Sequence, residues 1–104
     1  MTNLFDLSGK VAVVAGASSG LGADAARAYA EHGADVALLA RRLERLEALR
    51  EEIRATGRRA LAVRCDVTSE ESCRDAVEKV VEAYGHIDIL LNNAGVAVRG
   101  GVDT

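Results

Sequence analysis

"VVAGASSGLG", residues 13–22, decides how this chain is read. Apolar residues give way at Gly16 to a run of small ones, and glycine recurs at positions 20 and 22 with two serines and no charge between. Upstream, "KVAVVAG" is a short apolar run stopped by a glycine, the pattern of a buried strand. Downstream, Leu21, Ala25, Ala28 and Tyr29 recur at spacings of three and four. That spacing predicts a helix from Leu21 to His32 with those residues on its inner side, closed by a left-handed Gly33. The glycines therefore occupy a strand-to-helix turn.

The alternation continues to the end of the apolar pattern. "ADVALLA" is a second buried strand, and Leu43, Leu46, Leu49 and Ile53 mark a second helix that closes near Gly57. "RALAVRCDV" is a third strand. Thr68 followed by Glu71 has the form of a capping box for a third helix. Ala76, Val77, Val80, Val81 and Tyr84 supply that helix's inner face, Gly85 stops it, and "IDILLN" is a fourth strand. Strict alternation within the strands is not required where helices cover both faces of a sheet. The expected fold is α/β: a doubly wound parallel sheet with helices on both faces, of which the chain covers about the first four strands. With no low-complexity linker in between, residues 1–104 read as one small domain or the N-terminal portion of a larger one; at "NNAGVAVRGGVDT" either the fold finishes in a loose tail or the polypeptide continues.

Composition narrows the function classes. The formal net charge is -3, and the arginines are interleaved with glutamates, so no general nucleic-acid surface is expected. Cys65 and Cys73 lack the partners of a structural zinc site, and no metal is expected. No apolar run reaches the roughly 18 residues of a membrane span, and "MTNLFDLSGK" lacks the features of an export signal. These features lead to the expectation of a cytoplasmic protein without a membrane partner.

In a sheet of this kind the turn after the first strand lies at the carboxyl edge, where ligands bind. Gly16 can turn the chain out of the strand, Gly20 leaves the backbone bare for a pyrophosphate, and Gly22 lets the helix approach the sheet. N–H groups near Ser19 to Leu21 would face the anion at the positive end of the helix, with the Ser18 and Ser19 hydroxyls as small donors. The spacing Gly-x-x-x-Gly-x-Gly differs from the commoner Gly-x-Gly-x-x-Gly, and the Lys-Ser/Thr ending of a triphosphate loop is absent. The alternative is that these glycines serve only the turn and its packing.

The second strand ends "LLARR". A carboxylate there would accept from both adenosine ribose hydroxyls and repel a 2′-phosphate. Ala40, Arg41 and Arg42 stand there instead, and a planar guanidinium at Arg41 suits a phosphate. The same residues argue against an adenosyl-methionine site, which often uses an acid at this point. Arg41, Arg42 and Arg45 crowd the start of the second helix, where the dipole disfavours positive charge and a bound anion would relieve the cost; the alternative for Arg42 and Arg45 is an ordinary solvated residue, offset by Glu44 and Glu47. After the third strand, Asp66 can accept from an adenine amino group while the Val67 N–H meets a ring nitrogen; equally, Asp66 can form an Asx turn or help cap the next helix. Cys65 reads as a small buried residue. In "NNAG", residues 92–95, Asn92 suits a structural bridge between strand ends, and Asn93, Ala94 and Gly95 leave room for a ribose or flat ring.

Together these motifs resemble the short-chain dehydrogenase/reductase family of classical type, over essentially the whole chain. The resemblance rests on Gly16-x-x-x-Gly20-x-Gly22, Asp66-Val67 and Asn92-Asn93-Ala94-Gly95 in that order. It implies a Rossmann-type dinucleotide-binding domain and an enzyme that moves hydride between a nicotinamide and a carbonyl or alcohol substrate. It places the cofactor's phosphates and ribose on Gly16, Ser18, Ser19, Gly20, Leu21 and Gly22, adenine on Asp66 and Val67, and the ribose–nicotinamide side on Asn93 to Gly95. Arg41, with Arg42 next to it, implies NADP, with NAD as the alternative. Two features depart from the family pattern: Ala15 stands where threonine is usual, and Ser19 where NADP users often carry a basic residue. The family's catalytic tyrosine, lysine and serine lie beyond the fourth strand, so no residue of 1–104 is assigned to catalysis and this portion alone is expected to be inactive. The resemblance further implies a homo-oligomer, dimer or tetramer, and the opening "NLFDLSGKVAVV" is also similar to sugar-acid reductases of the gluconate 5-dehydrogenase kind.

Overall fold

The structure is a computed structural model that describes residues 6–17 and 20–92. The elements alternate as expected: β1 (Val11–Ala15), α1 (Gly20–Glu31), β2 (Asp35–Ala40), α2 (Glu44–Arg54), β3 (Ala60–Arg64), α3 (Glu70–Tyr84) and β4 (Ile89–Asn92). The strands form one parallel sheet in the order β3-β2-β1-β4. β1 is buried at all five positions because helices lie on both sides of it. Ala12, Val14, Val36 and Leu38 face one layer, built by Ala26 and Ala30 of α1 and Leu46, Leu49 and Ile53 of α2. Val11, Val13, Ala15, Ala37 and Leu39 face the other, where Cys73, Ala76 and Val80 of α3 cover them. The doubly wound reading holds.

Four local details differ from the sequence reading. The inner side of α1 is Gly22, Ala26 and Ala30, one position on from the expected set, and Leu21 is 76 % exposed. Gly22 causes the rotation: a Cβ there would overlap the Gly16 carbonyl oxygen and sit 3.0 Å from Ala17 Cα, so only a bare Cα can touch the turn. The cap of α3 is Ser69, not Thr68: the Ser69 hydroxyl accepts from Ser72 N at 3.1 Å, while Thr68 is drawn back to Asp66. Val81 is exposed and Cys73 takes its place on the inner face. Leu43 is also partly exposed, because it lies outside the first turn of α2 as its N-cap.

The amino end of the sheet is tied by polar groups. Asp88 accepts from Val11 N through its carboxylate at 2.8 Å, and its own N–H donates to Val11 O at 2.9 Å. His86 Nε2 lies 3.1 Å from Gly9 O and 2.9 Å from the same Asp88 carboxylate. Arg59 donates to Asp35 at 2.6 and 3.0 Å and lies over the Tyr84 ring, whose hydroxyl donates to Val36 O at 3.1 Å. These contacts join β1 to β4 and β2 to α3, far from the glycine turn. Among the described residues no helix is long and apolar enough to cross a membrane, and no group of three or more metal-ligating side chains gathers.

Candidate functional site

The strand order puts a topological switch at the carboxyl ends of β1 and β4, where crevices open in sheets of this type. Ala15 and Asn92 are register partners there, so β4 ends directly beside the start of the glycine turn. Gly16 adopts φ +81°, a conformation that admits glycine without strain, and turns the chain while its N–H and that of Ala17 both donate to Leu39 O. Gly20 opens α1, and a Cβ built on it would have no described atom within 4 Å. The two helical glycines thus do different things. Gly22 is fixed by contact, and Gly20 leaves clear space over the helix start, where N–H groups and the helix dipole favour an anion.

Beside this turn lies an open cavity of about 270 Å³, lined by Gly16, Ala40, Arg41, Arg42, Arg45, Cys65 and Val67. It brings together residues from the ends of three strands. Its walls are small or apolar, three arginines line it, and among the described residues no carboxylate does. Arg45, read from sequence as a solvated residue beside Glu44 and Glu47, is part of the rim. Neither glutamate neutralises it, for the described ion pairs are those of Arg27, Arg50, Arg54, Arg59 and His86. The signal available in sequence was the i, i+3 and i, i+4 relation of Arg45 to Arg42 and Arg41 across the entry into α2, where the Arg45 N–H donates to Arg42 O at 3.2 Å.

Asp66 takes the Asx-turn alternative. Its Oδ1 accepts from the Thr68 N–H at 3.0 Å and the Thr68 hydroxyl at 2.6 Å, and its N–H donates to Ser72 Oγ at 2.9 Å. The two Thr68 bonds, with Arg41 and Arg64 acting at longer range, hold its carboxyl below the usual range. Both of these bonds fall on one oxygen, so an Asx turn and a contact through the second oxygen are compatible. Val67 is in the cavity wall. Cys65 is buried beside Cys73, with 3.9 Å between sulfurs, and burial together with that neighbour pushes its thiol up to about 11; it packs rather than reacts at neutral pH. Ser18, Ser19, Asn93, Ala94 and Gly95 lie outside the described residues. Leu21, expected on the inner face of α1, instead projects outward beside Gly20.

The tyrosines stand apart from this rim. Tyr84 is engaged at the amino end of the sheet, and Tyr29 packs against the α1–α2 layer.

A parallel sheet with this strand order, a glycine turn at its switch point and a basic rim after β2 defines a Rossmann-type fold with a nucleotide-sized crevice. The family model for short chain dehydrogenases matches residues 10–103. The chain belongs to that family. It is 42 % identical over 92 residues to an 11-beta-hydroxysteroid dehydrogenase of Pinus massoniana, covering 88 % of this chain and 26 % of that protein. A metagenomic short-chain oxidoreductase solved in complex with NADP shares 45 % identity at a TM-score of 0.82, over 88 % of this chain and 41 % of that one. The L-sorbose reductase of Gluconobacter frateurii, solved with NADPH and L-sorbose, shares 38 % identity at a TM-score of 0.83, over 95 % of this chain and 38 % of that one. The chain therefore spans between a quarter and about two-fifths of the length of these three relatives.

Proposed function

We propose that this chain supplies the cofactor-binding part of an NADP(H)-dependent oxidoreductase, which transfers hydride between the nicotinamide and a carbonyl or alcohol substrate. Residues 1–104 would then be the N-terminal portion of a single dinucleotide-binding domain, with NAD as the alternative cofactor. The observation that carries the reading is the acid-free, arginine-rimmed cavity at the end of β2, next to the bare start of α1. In this reading Gly16, Ser18, Ser19, Gly20, Leu21 and Gly22 hold the pyrophosphate and its ribose. Arg41 and Arg42 hold the 2′-phosphate, Asp66 and Val67 the adenine, and Asn93, Ala94 and Gly95 the ribose on the nicotinamide side. When bound, the nicotinamide would give hydride to a carbonyl or take it from an alcohol. The residues of this chain bind it, orient it along the strand ends and neutralise its phosphates, and none of them is assigned a proton-transfer role.

The relatives in complex with NADP or NADPH support the cofactor class. Their named substrates and activities differ widely, from a steroid to a sugar, which supports only the broad carbonyl/alcohol class. Within it we propose a sugar acid, on the likeness of the opening segment to sugar-acid reductases, and a homo-oligomer as the working assembly. A non-catalytic dinucleotide-binding regulator or structural relative is the second reading.

Titration of the full polypeptide with NADPH and NADH tests the central reading. Saturable binding that favours NADPH is expected, and Arg41→Ala is expected to remove most of that preference, about tenfold for one lost charge-assisted contact. Absence of binding to both dinucleotides, or an equal loss for both on Arg41→Ala, overturns it. Reduction of a sugar-acid ketone with NADPH separates enzyme from regulator.

A further inference from the structure

We infer that Arg45 is a third recognition residue for a ribose-linked phosphate monoester and helps set the discrimination between phosphorylated and unphosphorylated dinucleotides. The inference rests on the dinucleotide-binding reading and adds to it a residue on a different element, the first turn of α2.

The contrast within α2 supplies the argument. This helix pairs its later arginines with its own acids: Arg50 and Arg54 both reach Glu51, at 3.2 and 3.4 Å. Arg45 sits between Glu44 and Glu47 in sequence, yet it makes no ion pair among the described residues and lines the cavity instead. A cation in the first turn is disfavoured by the helix dipole, and an anion bound in front of that turn reverses the effect. Arg41 lines the same cavity and likewise makes no ion pair among the described residues. A phosphate monoester carries close to two negative charges at neutral pH. One guanidinium matches that poorly, whereas Arg41 and Arg45 lining one cavity match it well. The other described residues lining the cavity are Gly16, Ala40, Arg42, Cys65 and Val67, so among the described residues a phosphate there meets only arginine side chains as charged partners. Ser19 stands where a basic residue is expected in NADP users, and Arg45 provides the missing charge from α2.

The test uses the full polypeptide and two probes besides the dinucleotides, adenosine 2′,5′-bisphosphate and 5′-AMP, in direct calorimetric titration. Arg45 is exposed, so its replacement leaves the fold intact, and thermal melting of each variant checks this. Arg45→Ala is expected to weaken NADPH and the bisphosphate about five- to tenfold while NADH and 5′-AMP change by less than about twofold. Arg45→Lys should recover part of the loss, and Arg45→Gln none. If Arg45→Ala weakens all four probes alike, or none, the inference is wrong. Its failure is separable from that of the underlying reading: wild-type preference for NADPH, lost on Arg41→Ala but retained on Arg45→Ala, refutes Arg45 alone. A wild-type chain that binds neither dinucleotide refutes both.

Discussion

Replacing Gly22 by alanine puts one methyl group against the backbone of the first turn, and its cost follows from what that methyl would meet. The Cβ would overlap the Gly16 carbonyl oxygen and lie 3.0 Å from both Ala17 Cα and the Gly16 carbonyl carbon. All three are backbone atoms, held by the Gly16 and Ala17 N–H bonds to Leu39 O, so no rotamer change relieves the overlap. α1 must lift from the sheet, taking Ala26 and Ala30 away from β1 and β2. Overpacking of this kind costs about 1–3 kcal/mol, and backbone atoms as the obstacle put this site at the upper end. Alanine recovers about 0.8–1.0 kcal/mol of helix propensity over glycine, leaving a net loss of about 2 kcal/mol. Gly20→Ala is the control, since its methyl enters open space. It should change stability by less than about 0.5 kcal/mol while weakening dinucleotide binding, because the methyl occupies the space over the helix start. Urea unfolding of the full polypeptide, followed by circular dichroism, reads both. With a slope of about 1.5–2 kcal/mol per molar, Gly22→Ala should lower the midpoint by about 1 M and Gly20→Ala should not move it. Equal midpoints for wild type and Gly22→Ala would refute the close-contact argument.

Two further outcomes are expected. Ser69→Ala should cost about 1 kcal/mol of stability by removing the α3 cap, and Thr68→Ala should cost less because Thr68 serves only the Asx turn; paired urea curves decide between them. Tyr84→Phe should lose about 0.5–1.5 kcal/mol with the hydrogen bond to Val36 O. Burial pushes the Tyr84 hydroxyl up to about 12 from 10, so the folded state favours the neutral phenol. That contribution is complete below pH 10 and is lost as pH rises through 12. Stability measured against pH should therefore fall less steeply above pH 10 in Tyr84→Phe than in wild type.

Much of the fold was legible because strands covered on both faces are uniformly apolar and each is followed by a helical spacing. "KVAVVAG" and "ADVALLA" admit no other reading in that context. Faces and caps were harder. Spacing alone cannot tell Leu21, Ala25, Ala28 and Tyr29 from Gly22, Ala26 and Ala30, since both sets recur at three and four. The choice was made by the close approach of Gly22 to Gly16, a tertiary contact that gave alanine and glycine the inner side and left leucine outside. Thr68 and Ser69 are both good caps, and the decision fell to Asp66, which engages the Thr68 hydroxyl first. At the site, the glycine turn, Arg41, Arg42 and Val67 were visible as motif positions after strand ends. Arg45 was legible only as one of three arginines at the start of the second helix, with a solvated residue as the alternative because its sequence neighbours are acids; the structure places it in the cavity lining.

The polar ties among Asp35, Arg59, Tyr84, His86 and Asp88 all lie at the end of the sheet away from the arginine rim. Folding and recognition are consequently separable inheritances in this small chain. In the proposed reading, substitutions at 41, 42 and 45 would retune which anion is welcomed without loosening the strands, and the anchoring set could drift towards greater or lesser robustness while selectivity stayed as it was.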